Sequence, residues 1–116
     1  DTLKITRYLE SNTPQGALIG MTGGGTEAYF IQDRTIINLD GLINSKEYYD
    51  LVRAGRGYIY LDQIGLDYVL ARSVVLFHSD PYFWTFNERL SSIDIFKGYT
   101  LFIYESQWIS DGQSFN

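Results

Sequence analysis

The residues best suited to hold a ligand lie in a glycine-rich turn. Residues 22–26 read Thr-Gly-Gly-Gly-Thr and follow a short apolar run, residues 17–21, that is typical of a strand buried on both faces. Such a turn points several backbone N–H groups at one spot, and with a helix start it can hold a phosphate. The glycines lack the G-x-G-x-x-G spacing of dinucleotide-binding proteins. A tight turn that needs positive φ, a phosphate site and a site for another small polar ligand are all compatible with this segment.

A second polar residue of interest follows the next apolar run. Asp40 comes directly after residues 35–39, where dinucleotide-binding folds keep a carboxylate for a ribose. It follows Gly25 by only 15 residues instead of about 20, so the intervening helix is too short for that fold. Because the carboxyl ends of parallel strands meet at one edge of a sheet, we expect the candidate ligand-binding residues to share one depression there. These residues are Thr22, Gly23, Gly24, Asp40, Asn44 and Arg72.

The sequence contains no pattern typical of catalysis or metal binding. His78 is the only histidine, cysteine is absent, and no serine stands in a G-x-S-x-G elbow. Acid–base catalysis needs two carboxylates that converge on one pocket, and no spacing predicts this for Asp40, Asp62, Asp67 or Asp80. We therefore expect no catalytic residue, no metal site and no cofactor in this chain.

Residues 77–86 are unusually rich in aromatic side chains. An Asp-Pro pair at 80–81 predicts a helix start. On that helix, Tyr82 and Trp84 lie away from the stripe that faces the core, and they form a candidate docking surface. Exposed rings could contact a sugar, a partner domain or a membrane interface. A heavily aromatic core with half-buried flanking rings is the alternative interpretation.

The elements that would position these residues alternate between strands and helices. Strands are predicted at residues 17–21, 35–39 and 67–71, and a C-terminal hairpin is predicted around Lys97 and Gly98. An initial helix is expected over residues 3–10, and Asn44 is expected to cap a later one. Another helix is expected over residues 57–64, and it should end at Gly65.

This order predicts a three-layer α/β fold. Short, continuously apolar strands need helices on both faces, so we expect a mostly parallel sheet in the order 2-1-3 that is extended by the C-terminal antiparallel hairpin. A chain of 116 residues is long enough for one such domain, 1–116, with residues 110–116 as a frayed tail.

Composition narrows the classes of partner. The chain has nine basic and fourteen acidic residues, a net charge of −5, and no basic run, which disfavours nucleic acid as a partner. No apolar run approaches the roughly 20 residues of a membrane helix. The first residue is Asp1 and the only methionine is Met21, so we expect a piece of a longer protein whose membrane anchor, if present, lies outside this sequence.

Several short segments carry a resemblance to a known family. Residues 19–25 read Ile-Gly-Met-Thr-Gly-Gly-Gly, residues 28–30 Ala-Tyr-Phe, and residues 37–44 Ile-Asn-Leu-Asp-Gly-Leu-Ile-Asn. Tyr-Leu at residues 60–61 and Ile-Gly-Leu-Asp-Tyr-Val at residues 64–69 add to them. Together they resemble the C-terminal extracytoplasmic domain of bacterial polytopic membrane proteins of the GT-C glycosyltransferase type, relatives of dolichyl-phosphate-mannose protein mannosyltransferases. The resemblance covers about half of the chain, residues 16–71.

The resemblance implies a location and a parent protein. In that family the catalytic carboxylates lie in the membrane portion, so no catalytic residue transfers to this chain. We expect a non-catalytic accessory domain outside the cytoplasm, tethered to the membrane-embedded part of its own parent chain, that holds an acceptor glycan or a lipid-linked sugar. The alternative is a free-standing α/β domain that binds a nucleotide or another small anion with the glycine turn and Asp40.

Overall fold

The computed structural model describes six helices and five strands. The described residues are 2–23, 26–43, 45–54, 56–78, 85–86 and 88–105. The elements in chain order are α1 (Thr2–Asn12), β1 (Leu18–Met21), α2 (Glu27–Phe30), β2 (Thr35–Asn38), α3 (Leu39–Ile43), α4 (Lys46–Arg53), α5 (Gly57–Ile64), β3 (Tyr68–Ala71), α6 (Ser73–His78), β4 (Leu90–Phe96) and β5 (Tyr99–Tyr104).

The five strands form one mixed sheet in the order β2-β1-β3-β5-β4. Strand β1 pairs in parallel with β2 and β3, whereas β5 pairs antiparallel with β3 and β4. The prediction of a three-layer, mostly parallel α/β fold is therefore wrong. The C-terminal hairpin makes up two of the five strands and its second strand lies directly beside β3, so half of the strand pairings are antiparallel.

The helices do not cover the whole sheet, which is a second reason why the predicted three-layer fold is wrong. Outer strand β4 leaves Ile93 47% and Ile95 72% exposed. A sheet enclosed between two helical layers would bury such side chains. The β4 end of the sheet therefore faces solvent in the described structure.

Two apolar clusters pack on opposite faces of the sheet. Successive side chains of a strand point to opposite faces. In β3, Val69 and Ala71 accordingly join the larger cluster, and Leu70 joins the smaller one. The larger cluster also contains fully buried side chains from α3, α5 and α6, and the smaller one contains Ile5 and Leu9 of α1.

Asp67 joins three strands just before β3 begins. Its backbone N–H donates to the Leu18 carbonyl (2.9 Å), and its carboxylate Oδ2 accepts the Leu18 N–H (2.8 Å). Its own carbonyl accepts the Tyr104 N–H at 2.9 Å. One residue thus aligns β1, β3 and β5.

Helix α5 ends as the sequence predicts. Gly65 follows its last residue in the left-handed region (φ 76°), which a glycine adopts without steric cost. Leu66 then donates its N–H back to the Leu61 carbonyl at 3.3 Å, as in a Schellman turn. Within the described residues, no helix combines the length and the apolar character that a bilayer crossing requires.

Close packing between β1 and α3 yields a stability prediction. A Cβ atom at Gly20 would lie 2.6 Å from Cδ2 of Leu39, whose side chain is fully buried. We expect Gly20→Ala to lower the free energy of unfolding by about 1–3 kcal/mol, because the crowded core must shift. Urea denaturation followed by circular dichroism measures this loss.

Gly41→Ala is the matched control. Gly41 lies in α3, and a Cβ atom there would meet nothing within 4 Å. Alanine should therefore leave stability unchanged or raise it by up to about 1 kcal/mol through helix propensity. Equal stability of Gly20→Ala and the wild type would contradict the packing described here.

Candidate functional site

The structure brings four of the predicted site residues to one edge of the sheet. Strand β1 lies between β2 and β3, with Met21 opposite both Asn38 and Leu70. Thr22, Asp40 and Arg72 therefore follow three neighbouring strands at their carboxyl ends. Gly23 (φ 69°) lies in the turn after β1 and has the positive φ that the tight-turn interpretation requires.

Asp40 and Arg72 are each engaged by their own surroundings. Asp40 lies in the first turn of α3, and its backbone N–H donates to Oδ1 of Asn38 at 2.9 Å. The Arg72 guanidinium lies 4.7 Å from the centroid of the Tyr99 ring on β5. Because β5 and β1 flank β3 on opposite sides, the Arg72 side chain extends away from Thr22 and Asp40.

Four further predicted positions lie outside the described residues. They are Gly24, Asn44, Tyr82 and Trp84. At the start of α4, Ser45 Oγ accepts the Tyr48 N–H at 3.2 Å, which is the kind of capping bond that the sequence assigned to Asn44.

Two aspartates considered for acid–base chemistry serve the fold instead. Asp62 accepts the Tyr104 hydroxyl at 2.7 Å, and Asp67 aligns three strands as described above. Burial, followed by the Asp62 carboxylate, raises the pKa of Tyr104. In the part of the chain that the structure describes, no three His, Cys, Asp or Glu side chains are placed to hold a metal ion.

A different set of residues forms an open groove between α1 and the β4–β5 hairpin. Its volume is about 470 Å³, and we call it the α1–hairpin groove. Side chains from both elements line it, and they combine aromatic rings, cations and hydrogen-bonding groups. The lining residues are Lys4, Arg7, Tyr8, Ser11, Asn12, Phe96 and Lys97.

Helix geometry places one side of the groove. Lys4, Arg7, Tyr8 and Ser11 are spaced i, i+3, i+4 and i+7, so they lie along one face of α1. On another face of the same helix, Ile5 and Leu9 are buried against the sheet. The amphipathic pattern that docks α1 therefore also presents this polar and aromatic row.

The tight hairpin turn places the other side. Lys97 (φ 51°) and Gly98 (φ 85°) both have positive φ, as the two central residues of a type I′ turn require. Phe96 pairs with Tyr99 across this turn. The sequence predicted a turn at this position, and the structure confirms it.

Tyr8 and Phe96 connect the two sides. Their rings stack at a centroid distance of 4.3 Å and an interplanar angle of 14°. The Tyr8 hydroxyl donates to Oδ2 of Asp94 at 2.6 Å. Burial and this carboxylate raise the pKa of Tyr8, and the same hydrogen bond lowers the pKa of Asp94. The ring pair is thus fixed from α1 and from β4.

Sequence reasoning missed this groove because its two sides are distant in the chain. Tyr8 and Phe96 are separated by 88 residues, and no local pattern predicts that they stack. A usable signal was the row of α1 residues at helical spacing, which carries two cations and a tyrosine next to each other. A second signal was the pair of aromatic residues, Phe96 and Tyr99, on either side of the predicted turn.

Fold and groove together define a small mixed α/β domain with an open surface site. A family model described as "Domain of unknown function (DUF8728)" matches residues 1–114, and the chain belongs to that family. No curated protein and no solved structure matches the chain.

Buried tyrosines give a prediction for alkaline pH. Burial raises the pKa of Tyr48 from an ordinary value near 10 to about 12. The folded state therefore holds this proton more tightly than the unfolded chain does. We expect full stability below about pH 10 and a progressive loss as the pH rises from there through 12. Urea denaturation between pH 8 and pH 12 measures this dependence.

Tyr48→Phe is the control for that titration. The variant lacks the phenolic proton, so its stability should fall less steeply above pH 10 than that of the wild type. Tyr8 and Tyr104 keep their raised pKa values in the variant and continue to contribute. Identical slopes for the two proteins would contradict the role of Tyr48 burial.

Proposed function

We propose that this chain is a non-catalytic accessory domain of a multispanning, glycosyltransferase-like membrane protein. It lies outside the cytoplasm, where it meets the membrane-embedded part of its parent chain and holds an acceptor glycan or a lipid-linked sugar. The resemblance of residues 16–71 to the extracytoplasmic domains of such proteins supports the parent. The α1–hairpin groove is the observation that carries the proposed sugar-holding role.

Aromatic rings beside hydrogen-bonding side chains suit a carbohydrate. Rings such as Tyr8 and Phe96 offer an apolar surface on which the C–H face of a sugar can pack. Ser11 supplies a hydroxyl that both donates and accepts. Asn12 donates to the Tyr8 carbonyl at 2.8 Å, and its amide oxygen is a further acceptor. An open groove of this composition fits a saccharide better than a fully apolar ligand.

The functions of nearby carboxylates support a holding role over a catalytic one. Glycoside chemistry uses two carboxylates on either side of the reacting bond. Asp94, whose carboxylate contacts the stacked ring of Tyr8, accepts the Tyr8 hydroxyl and fixes that ring. Asp62 fixes Tyr104 in the same manner, on the other face of the sheet and away from the groove. We therefore assign bond cleavage and transfer to the membrane portion of the parent.

Titration with neutral oligosaccharides, followed by NMR, tests the proposed site. We expect chemical-shift changes along α1 and at the β4–β5 hairpin. Phe96→Leu keeps an apolar side chain but removes the stacked ring, and it should weaken binding roughly tenfold, which corresponds to about 1.4 kcal/mol. Ile95→Leu is the matched control, because Ile95 is exposed on the same strand and does not line the groove.

The outcomes separate this proposal from its alternative. Unchanged affinity of Phe96→Leu would contradict the groove as the sugar site. Shifts confined to Thr22, Gly23 and Asp40 would instead favour a small-ligand site at the carboxyl edge of the sheet. Turnover of a polyprenyl-phosphate sugar by the purified chain, abolished in Asp40→Ala, would overturn the non-catalytic role.

A further inference from the structure

The α1–hairpin groove is lined by basic residues, although the chain as a whole is acidic. The whole sequence has nine basic and fourteen acidic residues. Three of the nine cations line this groove, namely Lys4, Arg7 and Lys97, and its seven lining residues include no aspartate or glutamate. A surface that concentrates cations in an acidic protein attracts negative charge locally.

Two of these cations come from the two elements that carry the stacked rings. Arg7 comes from α1, and its guanidinium forms no hydrogen bond or ion pair within the described part of the chain. Lys97 comes from the hairpin turn, with Nζ 5.9 Å from the centroid of the Phe96 ring. By contrast, Lys46 on α4 is paired with Asp50 at 2.8 Å. The groove thus offers two cations from separate elements beside one aromatic surface.

We propose that the α1–hairpin groove selects acidic carbohydrate, meaning a sugar that bears a carboxylate or a phosphate. This inference rests on the proposed sugar-holding function and names the ligand class of the same site. The sugar ring packs on Tyr8 and Phe96, and its anionic group lies between Arg7 and Lys97. A guanidinium binds carboxylate and phosphate oxygens through a planar fork of donors, and an ammonium adds a point charge.

Among the described residues, Asp94 has a carboxylate that contacts the stacked rings, and this carboxylate is engaged with Tyr8. Asp94 is not among the residues that line the groove. Its Oδ2 accepts the Tyr8 hydroxyl at 2.6 Å, and the hydrogen bond lies at the rim of the ring. The anionic group of the ligand therefore meets cations, while Asp94 holds the aromatic surface in place.

Ligands that share a glucose-type ring and differ in the group at C6 test the proposal by NMR titration. Glucuronic acid is compared with glucose, glucose 6-phosphate provides the phosphate arm, and inorganic phosphate provides the anion without a sugar. At low ionic strength we expect the acidic sugars to bind roughly tenfold more tightly than glucose, since each exposed ion pair contributes at most about fivefold. Added salt at 0.5 M should remove most of this difference, because it screens exposed charges.

Charge-neutral variants identify the cations responsible. Arg7→Gln and Lys97→Gln should each weaken the binding of the acidic sugars by about two- to fivefold more than they weaken the binding of glucose. Lys46→Gln is the matched control, because it removes one positive charge from an exposed site outside the groove. An equal loss in Lys46→Gln would indicate a general charge effect and would overturn the assignment.

The remaining outcomes distinguish this inference from the function on which it rests. Equal affinity for glucose and for both acidic sugars would overturn the acidic selectivity and leave the sugar site intact. Inorganic phosphate binding as tightly as glucose 6-phosphate would overturn both, because the rings would then contribute nothing. A preference for glucuronic acid or for glucose 6-phosphate would support the proposal and decide between a carboxylate and a phosphate.

Discussion

Burial of β3 on both faces and on both edges is the constraint on which the rest of the structure depends. Val69, Leu70 and Ala71 have no exposed surface. Leu70 contributes to the cluster beneath α1, while its two neighbours contribute to the cluster that contains side chains of α3, α5 and α6. On its edges, β3 pairs in parallel with β1 and antiparallel with β5. Asp67 sets the register of this junction, because three of its polar groups bond to the neighbouring strands.

The antiparallel partner of β3 determines where a binding site can form. Since β5 runs against β3, its first residues lie beside the carboxyl end of β3, and Thr100 pairs with Ala71. The hairpin turn consequently lies at the sheet edge where an α/β protein would keep its ligand site. Arg72 packs over Tyr99, and a Cβ atom at Gly98 would meet its Nη1 at 2.8 Å. A residue predicted to bind ligand thus supports the hairpin, and the groove appears where that hairpin meets α1.

Much of the local structure was predictable, because short-range physics dominates it. Apolar runs marked the positions of β1, β2 and β3, and Gly65 marked the end of α5. Two short helices were missed. The apolar run of β2 appeared to continue into Leu39, but Oδ1 of Asn38 accepts the Asp40 N–H and α3 begins there. Helix α6 contains adjacent valines, which favour strands, and burial of Leu76 against the sheet outweighs that propensity.

The fold class and the groove were not predictable for a different reason, which is that both depend on contacts between distant segments. Strand β5 would show the same apolar pattern whether it paired with β3 in parallel or antiparallel. The sequence therefore does not distinguish the two orientations. The groove depends on a stack between residues 88 positions apart. Tyr8 and Phe96 also pack against the smaller core cluster, so the folding energy already holds the rings in position. A ligand of the kind proposed for this surface would therefore meet an aromatic platform that is ordered before binding, and little of its binding energy would be lost in fixing side chains.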